Sequence, residues 1–439
     1  MVTHKMNEMN QNIKKNNKSL VGFFPLFFNI SETGRAVLVA KRYQELGGKV
    51  IFFSHGGEYE YFAKDLGFDI VGVKPHLTED IINRYFLIAR GEKKKGEIYP
   101  NSFLSESVEN EIKVFEETGI KALVSTNNEP PAISARAAKI PLIAITTGAG
   151  RFQYSIPDNY ENNFTKFIPQ SMKIPLFNWM LPRTKTYLKP FNILAKKYNS
   201  KPLKSTMDLY SGDVTLITNF LEFINIFPNQ QQFPTEDYVG IILLEEIFKK
   251  NFSEKQTKTA NQEIFNHLKG SQKSILFSMG SSGDKKLFLK ILDELNHTSY
   301  RVIAVYTNIL KDLELPILNE NILLKKYVPS LAQLHRMVDL SIIHGGQGTV
   351  YTAAYSGKPI IGYPMQFEQH LNLEKIVGHG AGLILSKKFF DGKKLLGSIE
   401  NIFDNYTYFL KNAQALARKL PVPEGDKNAA IRISQIVLK

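Results

Sequence analysis

At 439 residues, 43% hydrophobic and 22% charged, the chain exceeds one ordinary core and has the balance of a globular protein with two domains. It has no cysteine, which excludes disulfides, thiolate nucleophiles and cysteine-bound metals, and no apolar run nears the roughly 20 residues that span a bilayer. Lys plus Arg (55) outnumber Asp plus Glu (42), giving a net charge of +13. The plainest reading of that excess is solubility. The sharper one is attraction to polyanions such as lipid headgroups or nucleotides. No nucleic-acid motif of defined spacing is present, so nucleic acid is not an expected partner.

Residues 1–18, rich in Asn and Lys, read as a flexible tail. They do not resemble a signal peptide, because the apolar run Leu20–Ile30 leads straight into domain-like sequence. An alternation of strands and helices follows. VGFFPLFF (21–28), KVIFFS (49–54) and DIVGV (69–73) are strands, and the helices Arg35–Leu46 and Tyr59–Leu66 between them end at glycines. Residues 80–117 are mostly helical, broken by GEKKKGE (91–97). KALVST (121–126), PLIAITT (141–147) and VTLITN (214–219) continue the strands, with the loop NNEPP after the first of them. Residues 151–204 break the rhythm with scattered prolines, aromatics and cations.

A linker is expected at 228–237, which holds Pro228, Pro234 and a run of glutamines. YVGIILLE (238–245) is expected to open the second half. SILFSMGSSG (274–283), RVIAVYT (301–307), ILLKKYVP (322–329), SIIH (341–344), PIIGYP (359–364) and GLIL (382–385) supply its further strands. The reading is α/β, with two Rossmann-like domains at 19–227 and 238–410 and parallel sheets facing a central cleft. A helical segment, 411–439, is expected to pack back on the N-terminal domain.

The most informative stretch is Ser341–Asn372. A buried strand ends at His344, and Gly345, Gly346 and Gly348 allow a tight turn and close approach of a ligand to the backbone. Thr349 is expected to open a helix whose free N–H groups and dipole favour a phosphate. Gly357 and Pro359 stop that helix, a second strand follows, and Phe367–Asn372 is expected as a polar loop at the same edge. This is a nucleotide-diphosphate site in outline.

HGGQGT, YSGKPIIGYP and FEQHLN, in that order, resemble the donor site of the UDP-glycosyltransferases of GT-B fold, whose pattern is HGGxGT, GxP and DQxxN. The resemblance is strong over 274–385, fair over 20–75 and absent in 1–18 and 151–204. It implies a nucleotide sugar as co-substrate, with no other cofactor, held chiefly by the C-terminal domain. His344 is then expected at the diphosphate of the leaving group, with Gly346, Gly348 and Thr349 holding its oxygens. Tyr327 is expected to stack on the base and Val328 to contact it. Ser281 and Ser282, in the glycine turn SMGSSG, are expected near the phosphates or the acceptor. Glu368 and Gln369 stand where the family binds sugar hydroxyls, and Asn372 is expected to support their loop.

Two positions depart from the family. Thr352 replaces the glutamate that grips the ribose, which bears on the identity of the nucleotide. Ser31-Glu32 replaces the Gly-His pair that carries the general base, and the nearest histidines in sequence are His55 and His76. Glu32 is therefore the candidate base, provided that burial raises its basicity. No clear counterpart of the orienting aspartate appears near Ser125–Glu129. No acidic pair or histidine cluster has ligand spacing, so no metal is implied.

The expected activity is inverting transfer of a sugar, with UDP-sugar as the donor, to a hydroxyl of a hydrophobic or lipid-like acceptor. The alternatives are a non-catalytic nucleotide-sugar-binding or activator protein of the same fold and a nucleotide-sugar epimerase. The acceptor region is expected in 151–204, with Phe152, Tyr154 and Trp179 as its aromatics. Cations beside them make an anionic membrane surface a further candidate partner, and the expected location is cytoplasmic or peripheral to the membrane.

Overall fold

The computed structural model describes residues 19–89, 97–147, 167–220, 236–249, 253–280, 283–307, 309–310 and 315–438. They divide into two compact units, one gathering the described residues of 1–153, 174–244 and 422–439, the other those of 154–173 and 245–421.

The first unit begins with β1 (Leu20–Pro25), α1 (Ile30–Glu45), β2 (Lys49–Ser54), α2 (Tyr61–Lys64), β3 (Ile70–Gly72), α3 (Glu79–Ala89) and α4 (Asn101–Thr118). It continues through β4 (Ala122–Thr126), α5 (Pro131–Ala137), β5 (Leu142–Thr146), α6 (Gln170–Met180, of which 174–180 belong to this unit), α7 (Leu188–Lys197), β6 (Val214–Ile217) and β7 (Glu236–Tyr238). All seven strands run parallel in the order β3-β2-β1-β4-β5-β6-β7, which is the doubly wound order with one added edge strand. Strands covered on both faces need apolar residues at every position, and β4 and β5 are buried throughout. β1 stops at Pro25, and the chain turns there, with Asn29 N donating to Leu26 O at 2.8 Å.

The second unit holds α8 (Glu245–Lys249), α9 (Glu254–Leu268), β8 (Ser274–Ser278), α10 (Lys285–Asn296), β9 (Arg301–Val305) and β10 (Ile322–Lys325). Then come α11 (Leu331–Met337), β11 (Leu340–Ile343), α12 (Gln347–Ser356), β12 (Ile360–Gly362), α13 (Phe367–Gly378), β13 (Gly382–Ile384), α14 (Gly392–Asp404) and α15 (Tyr406–Lys419). Its strands are also parallel, in the order β10-β9-β8-β11-β12-β13. Alternation along β8 feeds two cores. Ile275 and Phe277 join Phe288, Ile291 and Ile399, whereas Leu276 joins Ile303, Leu334 and Val338 on the other face.

The last helix, α16 (Gly425–Val437), belongs to the first unit, where it packs on α1. Gly425 N donates to Ile241 O at 3.0 Å, Asn428 Nδ2 to Val239 O at 2.9 Å, and Arg42 Nε to Asp426 Oδ2 at 2.7 Å. Burial opposes the Arg42 charge, but hydrogen bonds from its guanidinium to Asp426 and Glu45 outweigh it and push the pKa above the ordinary arginine value.

The unit boundaries differ from the sequence expectation. The first falls at 244/245 rather than at 228–237, and the second at 421/422 rather than at 410/411. YVGIILLE is not the opening strand of the second half. Tyr238 closes β7, Gly240 breaks the extended run at φ +86°, and Val239, Ile241 and Ile242 are buried core of the first unit. A short apolar run marks burial without saying which core receives it. Phe367–Asn372 is also not a loop but the start of α13, whose capping box joins Gln366 and Gln369. A glutamine N-cap carries little sequence signal.

The Arg42–Asp426 pair is the polar part of the α1–α16 contact, with Asp426 also in the first turn of α16. Replacing Asp426 by Ala is expected to lower stability by about 1–2 kcal/mol. Urea unfolding of Asp426→Ala, Arg42→Ala and the double variant checks this, and the two losses should not add.

Candidate active site

In a doubly wound sheet the connections leaving the first and fourth strands part to opposite faces and open a crevice at the strand ends. In the second unit those strands are β8 and β11. His344 follows β11 directly and is 4% exposed. A Cβ on Gly280, which follows β8 with φ +61°, would stand 2.5 Å from the His344 Cε1. A Cβ on Gly346 would overlap His344 Nε2. The two glycines thus make the slot that the imidazole fills. Burial pushes the His344 pKa down to about 4, so the ring is neutral at pH 7. Its Nδ1 is buried without a hydrogen-bond partner among the described residues.

The glycine turn leads into α12 two residues earlier than expected, at Gln347 rather than Thr349. Gly346 caps the helix without a side-chain hydrogen bond, and Val350 N is bonded to Gly346 O at 2.9 Å. The amides of Gly348 and Thr349 lie in the first turn, where a helix supplies no acceptor of its own. Gly348 is exposed, and beyond its own stretch of helix no atom among the described residues lies within 4 Å of where its Cβ would be. A neutral imidazole beside an open helix N-terminus is a set of donors suited to an anion that brings its own charge.

Neighbouring elements fix this turn. Asn372 Nδ2, from α13, donates to Gly345 O at 3.1 Å, and Gly345 (φ +94°) admits the close approach of α13, since its Cβ would stand 2.5 Å from Gln369 O. Gln369 is 2% exposed, and its Oε1 accepts from Met365 N at 2.8 Å and Gln366 N at 3.2 Å. That oxygen is engaged in capping α13, which leaves half-buried Glu368 as the more accessible of the two expected sugar ligands. Thr352 Oγ1 donates to Gly348 O at 2.6 Å, so its proton is committed inside the helix. Tyr327 is 39% exposed after β10, and Val328 is buried against Leu276 and Leu334. Glu245, which no sequence motif singles out, accepts through its Oε1 from Ser330 Oγ at 3.1 Å and Ala332 N at 3.0 Å and so anchors the turn after Tyr327.

The first unit repeats the geometry between β1 and β4. Asn29 caps α1, its Oδ1 accepting from Ser31 N at 3.0 Å, and places Glu32 in the first turn. Glu32 is 5% exposed. Its Oε1 accepts from Arg35 and, at 2.8 Å, from Asn127 Nδ2, while its Oε2 is buried without a partner among the described residues. Thr126 Oγ1 donates to the Glu32 carbonyl at 3.1 Å, and Asn127 takes φ +48° to reach it. That strained asparagine was not visible in the sequence.

Two residues on is a second carboxylate, Glu129, which is fully buried. Tyr99 and Tyr210 donate to it at 2.7 and 3.0 Å. Burial outweighs these bonds and, with a smaller push from the Glu32 charge, raises the Glu129 pKa to about 7. The only sequence signal was an acidic residue in the loop NNEPP after a buried strand. His55 is engaged elsewhere: its Nε2 meets Glu111 Oε1 at 2.8 Å, and its Nδ1 lies 3.1 and 3.0 Å from the carbonyls of Val73 and Pro75. Of the remaining expected residues, Ser281, Ser282, Phe152 and Tyr154 lie outside the described residues, and Trp179 is 59% exposed on α6.

Residues 289–426 match the family model of the erythromycin biosynthesis protein CIII-like C-terminal domain. A PGL/p-HBAD biosynthesis glycosyltransferase of Mycobacterium tuberculosis is 25% identical over 314 residues, which are 70% of this chain and 68% of that protein. Among solved structures, spinosyn forosaminyltransferase SpnP has a TM-score of 0.60 at 17% identity and covers 96% of this chain and 100% of its own. Spinosyn rhamnosyltransferase SpnG complexed with thymidine diphosphate has a TM-score of 0.60 at 14% identity, covering 95% and 100%. The chain is therefore a glycosyltransferase of the GT-B type, similar to the UDP-glycosyltransferases that its motifs resemble.

Proposed function

We propose that this protein moves a sugar from a nucleoside diphosphate sugar to a hydroxyl of a hydrophobic or lipid-like acceptor, with inversion and without a metal. The acceptor oxygen forms its bond to the anomeric carbon as the bond from that carbon to the β-phosphate oxygen breaks. The hydroxyl proton goes to Glu32 Oε2, and the diphosphate leaves with the bonding pair. His344 and the amides of Gly348 and Thr349 meet the charge that develops on it. The observation that carries this reading is the buried neutral His344, held between Gly280 and Gly346 beside the open N-terminus of α12.

Position 352 favours one donor class. A carboxylate there would accept from both hydroxyls of a ribose, whereas the Thr352 hydroxyl is already bonded to Gly348 O. A thymidine diphosphate sugar, whose deoxyribose has one hydroxyl fewer, loses less by that exchange than a UDP-sugar. Thymidine diphosphate is also the ligand named for the SpnG structure. Thermal denaturation with each nucleotide is expected to show the larger rise in Tm with thymidine diphosphate. A larger rise with UDP would reverse the preference.

His344→Ala and Glu32→Gln are each expected to lower kcat by about 100-fold or more, in line with losing one charge-stabilising donor or one general base. Gly346→Ala is the sharper test, because Gly346 has an ordinary backbone conformation (φ −58°) and the His344 ring is what stands nearest to an added methyl group. It should lower transfer by at least an order of magnitude while the protein stays folded. Turnover unchanged in all three variants would remove the assignment of roles.

Glu129 gives a prediction with an unusual sign. Its folded pKa of about 7 exceeds the ordinary 4.5, so the folded state binds more protons between these values and stability falls as pH rises through that window. Glu129→Gln mimics the neutral form. It is expected to raise stability by up to about 3 kcal/mol at pH 8 and by much less at pH 5, read from Tm against pH.

A further inference from the structure

Residues 167–204 carry seven lysines and one arginine and neither aspartate nor glutamate. A solvated surface usually intersperses both signs, so this run makes a local positive field. The same run exposes large apolar side chains. On α6, Met172 is 61%, Trp179 59% and Met180 45% exposed. Met172 and Trp179 are two helical turns apart and share one face. Arg183 extends that face, with its guanidinium 4.8 Å from the centre of the Trp179 ring and its Nη1 donating to Trp179 O at 2.7 Å.

α7 repeats the pattern. Leu188, Phe191, Leu194 and Ala195 fill a core with Leu104 and Ile133, while Lys189, Ile193, Lys196 and Lys197 point outward. Ile193 is 60% exposed. Of the exposed cations in this run, only Lys197 lies within ion-pair distance of a carboxylate among the described residues, Glu109 at 3.5 Å.

We propose that the segment 167–204 is a docking surface for an anionic lipid bilayer, with Trp179, Met172 and Met180 entering the interface and Arg183, Lys185 and Lys189 meeting headgroup phosphates. Each half of the composition points to this one occupant. A purely polyanionic partner explains the cations but leaves the apolar side chains in water, and an apolar protein partner leaves the charges unmatched. A bilayer interface has phosphates at one depth and hydrocarbon just beneath, and amphipathic rings and long cations settle at that boundary. No helix among the described residues is long and apolar enough to cross a membrane, so the contact lies on the surface. The inference goes beyond the proposed reaction and does not depend on it, although a bilayer is where a lipid-like acceptor would be met.

The test uses the full-length protein, whose only tryptophan is Trp179. Vesicles of phosphatidylcholine with phosphatidylglycerol should shift Trp179 emission to the blue and sediment the protein. Pure phosphatidylcholine should do so weakly, and high salt should reverse most of the binding. Lys185→Gln/Lys189→Gln is expected to weaken binding roughly thirty-fold, at about one kilocalorie per cation near an anionic surface. Trp179→Ser should weaken sedimentation, and Trp179→Phe should restore much of it, which separates insertion from misfolding. The lysine variants should keep the nucleotide-induced rise in Tm, so loss of lipid binding is read apart from any failure of the transferase assignment. Unchanged emission with anionic vesicles at low salt would overturn the proposal. So would equal sedimentation of the wild type and the lysine variants, or binding to heparin with none to vesicles.

Discussion

The second unit is built around one close approach, the His344 imidazole lying between two residues without side chains. Gly280 leaves β8 and Gly346 leaves β11, and these strands flank the point where the sheet reverses its winding. The ring can be buried there only because neither neighbour has a Cβ. Its burial in turn keeps it neutral, so it can face a phosphate as a donor without adding a charge of its own. The supports follow from this need. Asn372 holds the turn by its carbonyl, and Gly345 lets α13 pack close enough for that bond.

The first unit places acidic chemistry at the corresponding point of its own sheet. Glu32 opens α1, where a helix N-terminus favours a carboxylate, and Arg35 and Asn127 take one of its oxygens. Glu129 sits nearby behind a layer of tyrosine hydroxyls. Burial there pushes the Glu129 carboxyl up towards neutrality. The same strand order therefore supports two kinds of site, one made of donors for an anion and one of carboxylates, according to which residues end the first and fourth strands.

Much of this was legible in the sequence, and the failures share a cause. Continuous apolar runs such as ALVST and LSII identify strands covered on both faces, and the turn of glycines after LSII identifies the ligand edge. The motif around His344 could be read because glycine spacing is itself a backbone constraint. Contacts that depend on distant partners could not be read. Val239–Leu244 looked like a strand because burial and strand share one composition, and Gly240 alone gave a hint of the break. Nothing local says either that the Gln369 oxygen is bonded to the backbone amides of Met365 and Gln366 at the start of α13. Glu245 and Asn127 act through partners 85 to 95 positions away, which no periodicity reports.

The return of α16 to α1 gives the two units unequal histories during synthesis. Most of the second unit is one continuous stretch, 245–421, and can complete its sheet as soon as that stretch has left the ribosome. The first unit has all seven of its strands much earlier, yet the surface of α1 that receives α16 stays open until residues 425–437 emerge. Gly34 packs against Leu244 and Gly425 against Gly240, so this late piece closes a seam already shaped for it. Of the two units, the one begun earlier is therefore the one completed later, and through that interval its apolar seam needs protection from other chains.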